Sequence, residues 1–223
     1  EIENRDDMYA KSIKANEATK EKYIKSAGAL SKKRTGVAKK LEKNIMLELP
    51  ALKLEKARFE INQKINQDEK WSQKGIDKIE FLVATNPNSD SGPLNKIASG
   101  GELARLTLAL KAVFAGLGEI TTLIFDEVDS GIGGATAAAV GDRLSKLATH
   151  KQILVVTHSP QVAAKADNQW IVKKSGAKEI ITNIEYLETS EKRREEIARM
   201  LSGEEISAEA RAAASRLLEK TAA

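Results

Sequence analysis

Two short apolar runs, Thr121 to Asp126 and Ile153 to Thr157, enclose a helical stretch of small residues from Ala135 to Leu147. Strand, helix and strand in that order constrain the fold more than any other feature. They predict an α/β layer with a largely parallel sheet. Both runs are rich in Leu, Ile and Val, the composition of strands covered on both faces. A helix from Gly101 precedes them, with Leu103, Leu106, Leu110 and Val113 on one face and Gly116 as its stop. After them come a short helix over 161–167, closing strands at 170–172 and 180–187, and terminal helices at 191–201 and 208–220. Ser207 is placed to cap the last of these.

The first 57 residues read differently. They are dense in Lys and Glu and hold no proline before Pro50. Tyr23, Ala27, Leu30, Val37 and Leu41 recur at spacings of three, four and seven, while Arg34 interrupts the seam. The stripe fits one helix of a long antiparallel coiled coil, or a helix packed on its own domain. The basic runs Lys32-Lys33-Arg34 and Lys39-Lys40 fit a solvated face or a nucleic-acid contact. Near Arg58 the pattern changes. Phe59 and Ile61 alternate with polar residues as a short strand, 62–77 read as a loop, and 79–85 read as a strand ended by Asn86-Pro87. Residues 88–93 form a polar connection.

Composition narrows the class. Of 223 residues 41% are hydrophobic but only 4% aromatic, so the core must be aliphatic. The net charge of +4 is a mild bias. The absence of cysteine excludes disulfides and cysteine-ligated zinc. The apolar region from Leu106 to Phe125 is broken by Lys111, two glycines and Glu119, which favours a helix and a strand over a membrane span. No secretory signal is visible, and a soluble cytoplasmic chain without a membrane partner is expected.

The chemistry gathers in three places. Asp126 and Glu127 end a strand, where open α/β sheets bind ligands, and alternation sends their side chains to opposite faces. Asp126 suits a hydrated Mg²⁺ and Glu127 suits the polarising of a water, although two exposed acids at a strand end would look the same. Ser99-Gly100-Gly101-Glu102 opens a helix, whose N-terminus favours an anion; Ser99 can cap that helix or donate to a phosphate. His158 follows the second strand and falls near the same sheet edge, as a phosphate-sensing or a structural histidine. Between them, Asp129-Ser130-Gly131-Ile132-Gly133-Gly134 forms a loop whose three glycines predict close approach to a ligand or a partner subunit.

In order and wording these segments resemble the RecN family of bacterial DNA repair proteins, relatives of the SMC proteins with an ABC-type ATPase head. The resemblance is carried by residues 96–105, 125–134 and 156–163, and extends to 195–203. It implies a C-terminal lobe of an ABC/SMC-type head over 58–223, preceded by a returning coiled-coil helix over 1–57. Ser99, Gly100, Gly101 and Glu102 would contact ATP held on a second head. Asp126 would support Mg²⁺, Glu127 would orient the hydrolytic water, and His158 would sense the γ-phosphate. Asp129, Ser130 and Gly131 would lie at the head dimer interface, next to nucleotide. The phosphate loop G-x-x-x-x-G-K-[S/T] does not occur in these residues. The implied partners are therefore an N-terminal lobe carrying that loop, a second head, and DNA, with the work done at the nucleoid. Two other readings stand beside this one: an ABC transporter subunit, and a non-catalytic coiled-coil scaffold or DNA-binding module.

Overall fold

The computed structural model describes residues 2–67, 70–97, 99–116, 118, 120–175, 181–203 and 205–219. Asp68, Glu69, Ala98, Leu117, Glu119, Ile180 and Lys220 of the shorter segments above lie outside them. The chain forms two compact units: Glu1–Met46 with Arg58–Asn95, and Leu47–Ala57 with Lys96–Ala223. The compact units therefore do not divide at residue 57. The strands that follow Ala57 group with the long helix, and the turn before it groups with the remainder.

In the first unit α1 (Ile2–Glu48) lies with an antiparallel sheet of β1 (Arg58–Ile65), β2 (Asp77–Ala84) and β3 (Gly92–Pro93), in the order β1-β2-β3. The two ends of the expected 62–77 loop are therefore strand, because Asn62–Ile65 continue the ladder opposite Asp77–Glu80. Their polar side chains broke the hydrophobic alternation on which the strand signal depends. Ala27, Leu41 and Ile45 of α1 are buried, whereas Leu30 and Val37 remain exposed. Tyr23 stacks on Trp71, with ring centroids 5.3 Å apart. Arg34, which interrupts the apolar stripe, is held on the packed side. Its guanidinium donates to Asp77 Oδ2 at 2.8 Å and to the Lys74 carbonyl at 2.8 Å. Ser31 and Gln63 donate to the other oxygen of Asp77. Burial pushes the Asp77 carboxyl up, but these hydrogen bonds and the Arg34 charge together hold it below its ordinary value.

The second unit carries the parallel pair. β4 (Thr122–Asp126) and β5 (Gln152–Val156) run side by side with Phe125 opposite Val155, joined through α3 (Gly134–Ala148). α2 (Gly100–Ala115) precedes them. α4 (Pro160–Ala163), the antiparallel pair β6 (Trp170–Ser175) and β7 (Ile181–Tyr186), α5 (Ser190–Ser202) and α6 (Ala208–Glu219) follow. Leu106, Leu108, Ala109, Phe125, Val128, Ala137 and Val140 are buried. Ile197 and Ala198 of α5 form a second core cluster with Ala163, Ala164, Ala210 and Ala214. Gly141 permits the close approach of α3 to α4: an added Cβ would lie 3.1 Å from the Gln161 carbonyl oxygen. Arg143 forms a bidentate pair with Glu48. Ser207 caps α6 by accepting from the Ala210 N–H.

One expectation fails. β4 and β5 are not covered on both faces: Ile124 is 60% exposed and Val156 61%. Alternation sends Phe125 into the core and leaves its neighbours on an uncovered apolar face.

Candidate functional site

Three segments meet beyond the C-terminal ends of β4 and β5. Ser99 is the N-cap of α2 and accepts from the Glu102 N–H across a long 3.4 Å. Gly100 is exposed and nothing lies within 4 Å of where its Cβ would stand. The first turn of a helix has no internal acceptors for its N–H groups, so this end favours negative charge. Gly101 is buried for a different reason. A Cβ there would lie 2.9 Å from Ile132 Cγ2 and 3.3 Å from the Gly131 carbonyl oxygen. The start of α2 and the 130–132 loop can touch only because residue 101 is glycine.

At the end of β4 the backbone turns sharply. Glu127 has φ 52°, a left-handed conformation that a non-glycine residue adopts at a cost of about 1 kcal/mol. Its N–H donates to the Val156 carbonyl at 3.2 Å, and its own carbonyl accepts from the Ser130 N–H at 3.0 Å. These two bonds hold the strained turn in place. The carboxylates of Asp126 and Glu127 are exposed and make no hydrogen bond or ion pair among the described residues.

Asp129 departs from its expected place. Its side chain is fully buried and turned inward, so it cannot line a ligand surface. One oxygen accepts from Thr157 Oγ1 at 2.5 Å, from the Ser159 N–H at 2.8 Å and from the His158 N–H at 3.3 Å. The other oxygen is buried without a partner among the described residues. Asp129 thus ties the glycine loop to the segment that carries His158. The His158 side chain itself is 72% exposed, and its Nδ1 lies 3.6 Å from Asp129 Oδ2, too far for a hydrogen bond. Ser130 and Gly131 are exposed, and Gly131 takes φ 69°, which glycine alone accepts without strain.

The structure therefore brings Gly101 to the 130–132 loop, Asp129 to 157–159 and Glu127 to Val156. Among the described residues no hydrogen bond or ion pair joins Ser99 or Glu102 to His158 or to the acid pair. Sequence reasoning missed the clamp formed by Asp129 with Thr157 and Ser159. The available signal was the pair of hydroxyl residues flanking His158. It also missed Lys111, which donates to the Ile124 carbonyl at 3.0 Å and lies 4.9 Å from the centroid of the Phe125 ring. A lysine inside an apolar helix was the only trace of that contact.

Fit to the implied groups follows from this geometry. Among the described residues no three His, Cys, Asp or Glu side chains cluster to hold a metal. A single free carboxylate suits Mg²⁺, which keeps most of its waters. The open N-terminus of α2 suits phosphate oxygens.

No family model matches the chain. It is 44% identical over 197 residues to the DNA repair protein RecN of Rickettsia bellii, covering 88% of this chain and 35% of that protein. It is 42% identical over 199 residues to RecN of Xylella fastidiosa, covering 89% of this chain and 36% of the relative. The chain is a RecN relative. It spans about a third of the length of these curated relatives. In fold it is similar to the Smc head domain with a coiled coil and joint from Pyrococcus yayanosii, at a TM-score of 0.59 and 20% identity, covering 89% of this chain and 37% of that one. A structure described under ATP-driven dimerization and DNA-stimulated activation of SMC ATPases matches at a TM-score of 0.51 and 19% identity, covering 77% of this chain and 96% of that one. These likenesses place the α/β unit and its long helix in the SMC head fold. Among the described residues no helix is long and apolar enough to cross a membrane.

Proposed function

We propose that this chain supplies half of an ATP-hydrolysing site. In this reading Ser99–Glu102 is the signature segment that meets ATP on a second head. Asp126 holds a hydrated Mg²⁺, Glu127 orients the attacking water, and His158 senses the γ-phosphate. Residues 58–223 act as the C-terminal lobe, behind a returning coiled-coil helix over 1–57. The observation that carries the proposal is the convergence of α2, the 127–134 loop and the 157–159 segment beside two free carboxylates. The apolar face at Ile124 and Val156 supports the second element, a lobe that supplies the phosphate loop and covers the sheet.

Bound nucleotide and Mg²⁺ would supply the phosphoryl group and charge neutralisation; the residues of this chain do the positioning. The strained turn at Glu127 sets its carboxylate past the strand end. The Asp129 clamp holds the backbone of His158, leaving the imidazole exposed. Ser130 and Gly131 lie against the start of α2, so movement in either is felt by the other. The names of the relatives support DNA repair; double-strand break repair, with DNA and a second head as partners, in the cytoplasm at the nucleoid, is the finer reading proposed here.

The test is steady-state ATP hydrolysis by this chain alone, and mixed with a polypeptide carrying the N-terminal lobe. Activity is expected in the mixture only and should be lost with Glu127→Gln. Glu127-dependent hydrolysis by the chain alone would refute the half-site.

A further inference from the structure

Between residues 22 and 43, α1 carries seven lysines and Arg34 against one carboxylate, Glu42. That stretch exceeds the net charge of the whole chain, +4, so the remainder is net acidic. Arg34 and Glu42 are both committed: Arg34 to Asp77, and Glu42 to the Ile61 N–H at 2.6 Å. The seven lysines are all exposed, and none makes an ion pair among the described residues.

Their placement is ordered. At 3.6 residues per turn, Lys25, Lys32, Lys39 and Lys43 form one row on the side away from Ala27, Arg34 and Ile45. Lys22, Lys33 and Lys40 form a second row about a quarter of a turn away. Between the rows lie Ala29 and Gly36. A Cβ on Gly36 would meet nothing within 4 Å, so chain packing does not require glycine there. Mid-helix glycine costs about 1 kcal/mol relative to alanine, and the like-charged neighbours Lys39 and Lys43 add a few tenths. The sequence keeps both costs on one open face.

We infer that this ridge is a docking surface for the phosphate backbone of duplex DNA. It extends about 32 Å, against which a duplex sets one charge per about 1.7 Å. Small residues between the rows permit close approach. Residues 24–45 contain no aromatic side chain, whereas single-strand binding relies on stacking platforms. No large apolar residue stands between the rows to enter a bilayer, which separates the ridge from a membrane-surface helix. The choice of DNA rests on the function proposed above; the ridge itself does not.

The test is fluorescence anisotropy of a labelled 40-base-pair duplex (~40 bp, about four helical turns) with the full chain across a salt series. Replacing Lys25, Lys32, Lys39 and Lys43 with Gln should weaken binding at least tenfold at about 0.1 M salt. It should also reduce the log–log salt slope by up to about 3.6. A charge-matched control with Lys53, Lys56, Lys146 and Lys174 replaced by Gln should bind within about twofold of wild type. Equal loss in both variants, an unchanged slope, or no binding by wild type would overturn the inference. So would equal competition by single strands, by polyglutamate of the same charge, or by anionic vesicles. The ridge variant should still hydrolyse ATP when mixed with the N-terminal lobe in the absence of DNA. Hydrolysis without lysine-dependent binding removes the ridge and leaves the ATPase; lysine-dependent binding without hydrolysis does the reverse.

Discussion

Replacing Asp129 with Ala tests the join between the glycine loop and the His158 segment. The carboxylate accepts two short hydrogen bonds, from Thr157 Oγ1 at 2.5 Å and the Ser159 N–H at 2.8 Å. Bonds to a charged group contribute about 1.5–3 kcal/mol each. Two losses would approach ~5 kcal/mol, but two effects reduce this. The Ser159 N–H already lies 3.0 Å from Thr157 Oγ1 and keeps that acceptor. The wild-type carboxylate also carries a buried oxygen without a partner, so its removal relieves a desolvation cost. A net loss of about 3 kcal/mol follows, or roughly 6–12 °C in Tm for a chain of this size. Asp129→Asn keeps an acceptor of the same shape without the charge and should cost about 1 kcal/mol, roughly 2–4 °C. Thermal unfolding followed by circular dichroism reads both, and amide exchange at Ser159 localises the effect. Protection there should collapse in the Ala variant and persist in the Asn variant. An Ala variant as stable as wild type, or an Asn variant as damaged as Ala, would refute the clamp.

Four further outcomes are expected. Gly101→Ala should destabilise the chain by about 1–3 kcal/mol and abolish hydrolysis in the complemented head, because its Cβ would collide with Ile132 and the 130–131 carbonyls; unchanged Tm would disprove the close contact. Glu127→Gly should raise stability by up to about 1 kcal/mol while removing hydrolysis, since glycine relieves the left-handed turn; urea unfolding measures the first part. For Asp77 the folded value is depressed, so its contribution is complete above the unfolded value near 3.8 and is lost as pH falls through the lower folded value. Asp77→Asn should therefore narrow the Tm difference from wild type as pH drops below about 4, and a difference independent of pH would count against the Arg34 pair. Ile124→Lys with Val156→Lys should change the stability of this chain by less than about 0.5 kcal/mol but prevent its co-sedimentation with the N-terminal lobe; retained association would place that lobe elsewhere.

Much of the architecture was legible because local chemistry decided it. The Ser99 cap, the Ser207 cap and the parallel pair β4-β5 answer to nearest-neighbour rules of helix ends and apolar runs. Strand β1 was only half visible. Asn62, Gln63 and Lys64 carry no hydrophobic alternation, and they are strand because β2 lies opposite them.

What the sequence alone determined is the order of its elements and the placing of Ser99–Glu102, Asp126, Glu127 and His158 at loop starts and strand ends. Those positions follow from spacing and backbone preference within a few residues. The tertiary structure decided three things that spacing cannot reach. It turned Asp129 inward to residues 28 to 30 positions away, where burial makes an unbonded carboxylate too costly to leave unpaired. It seated Arg34 on Asp77, 43 residues on, so a charge that broke the apolar seam became part of the packed face. It left Ile124 and Val156 uncovered, although their composition matched the buried Phe125. In each case the outcome depends on what lies across space from the residue, and a linear pattern carries no record of that distance.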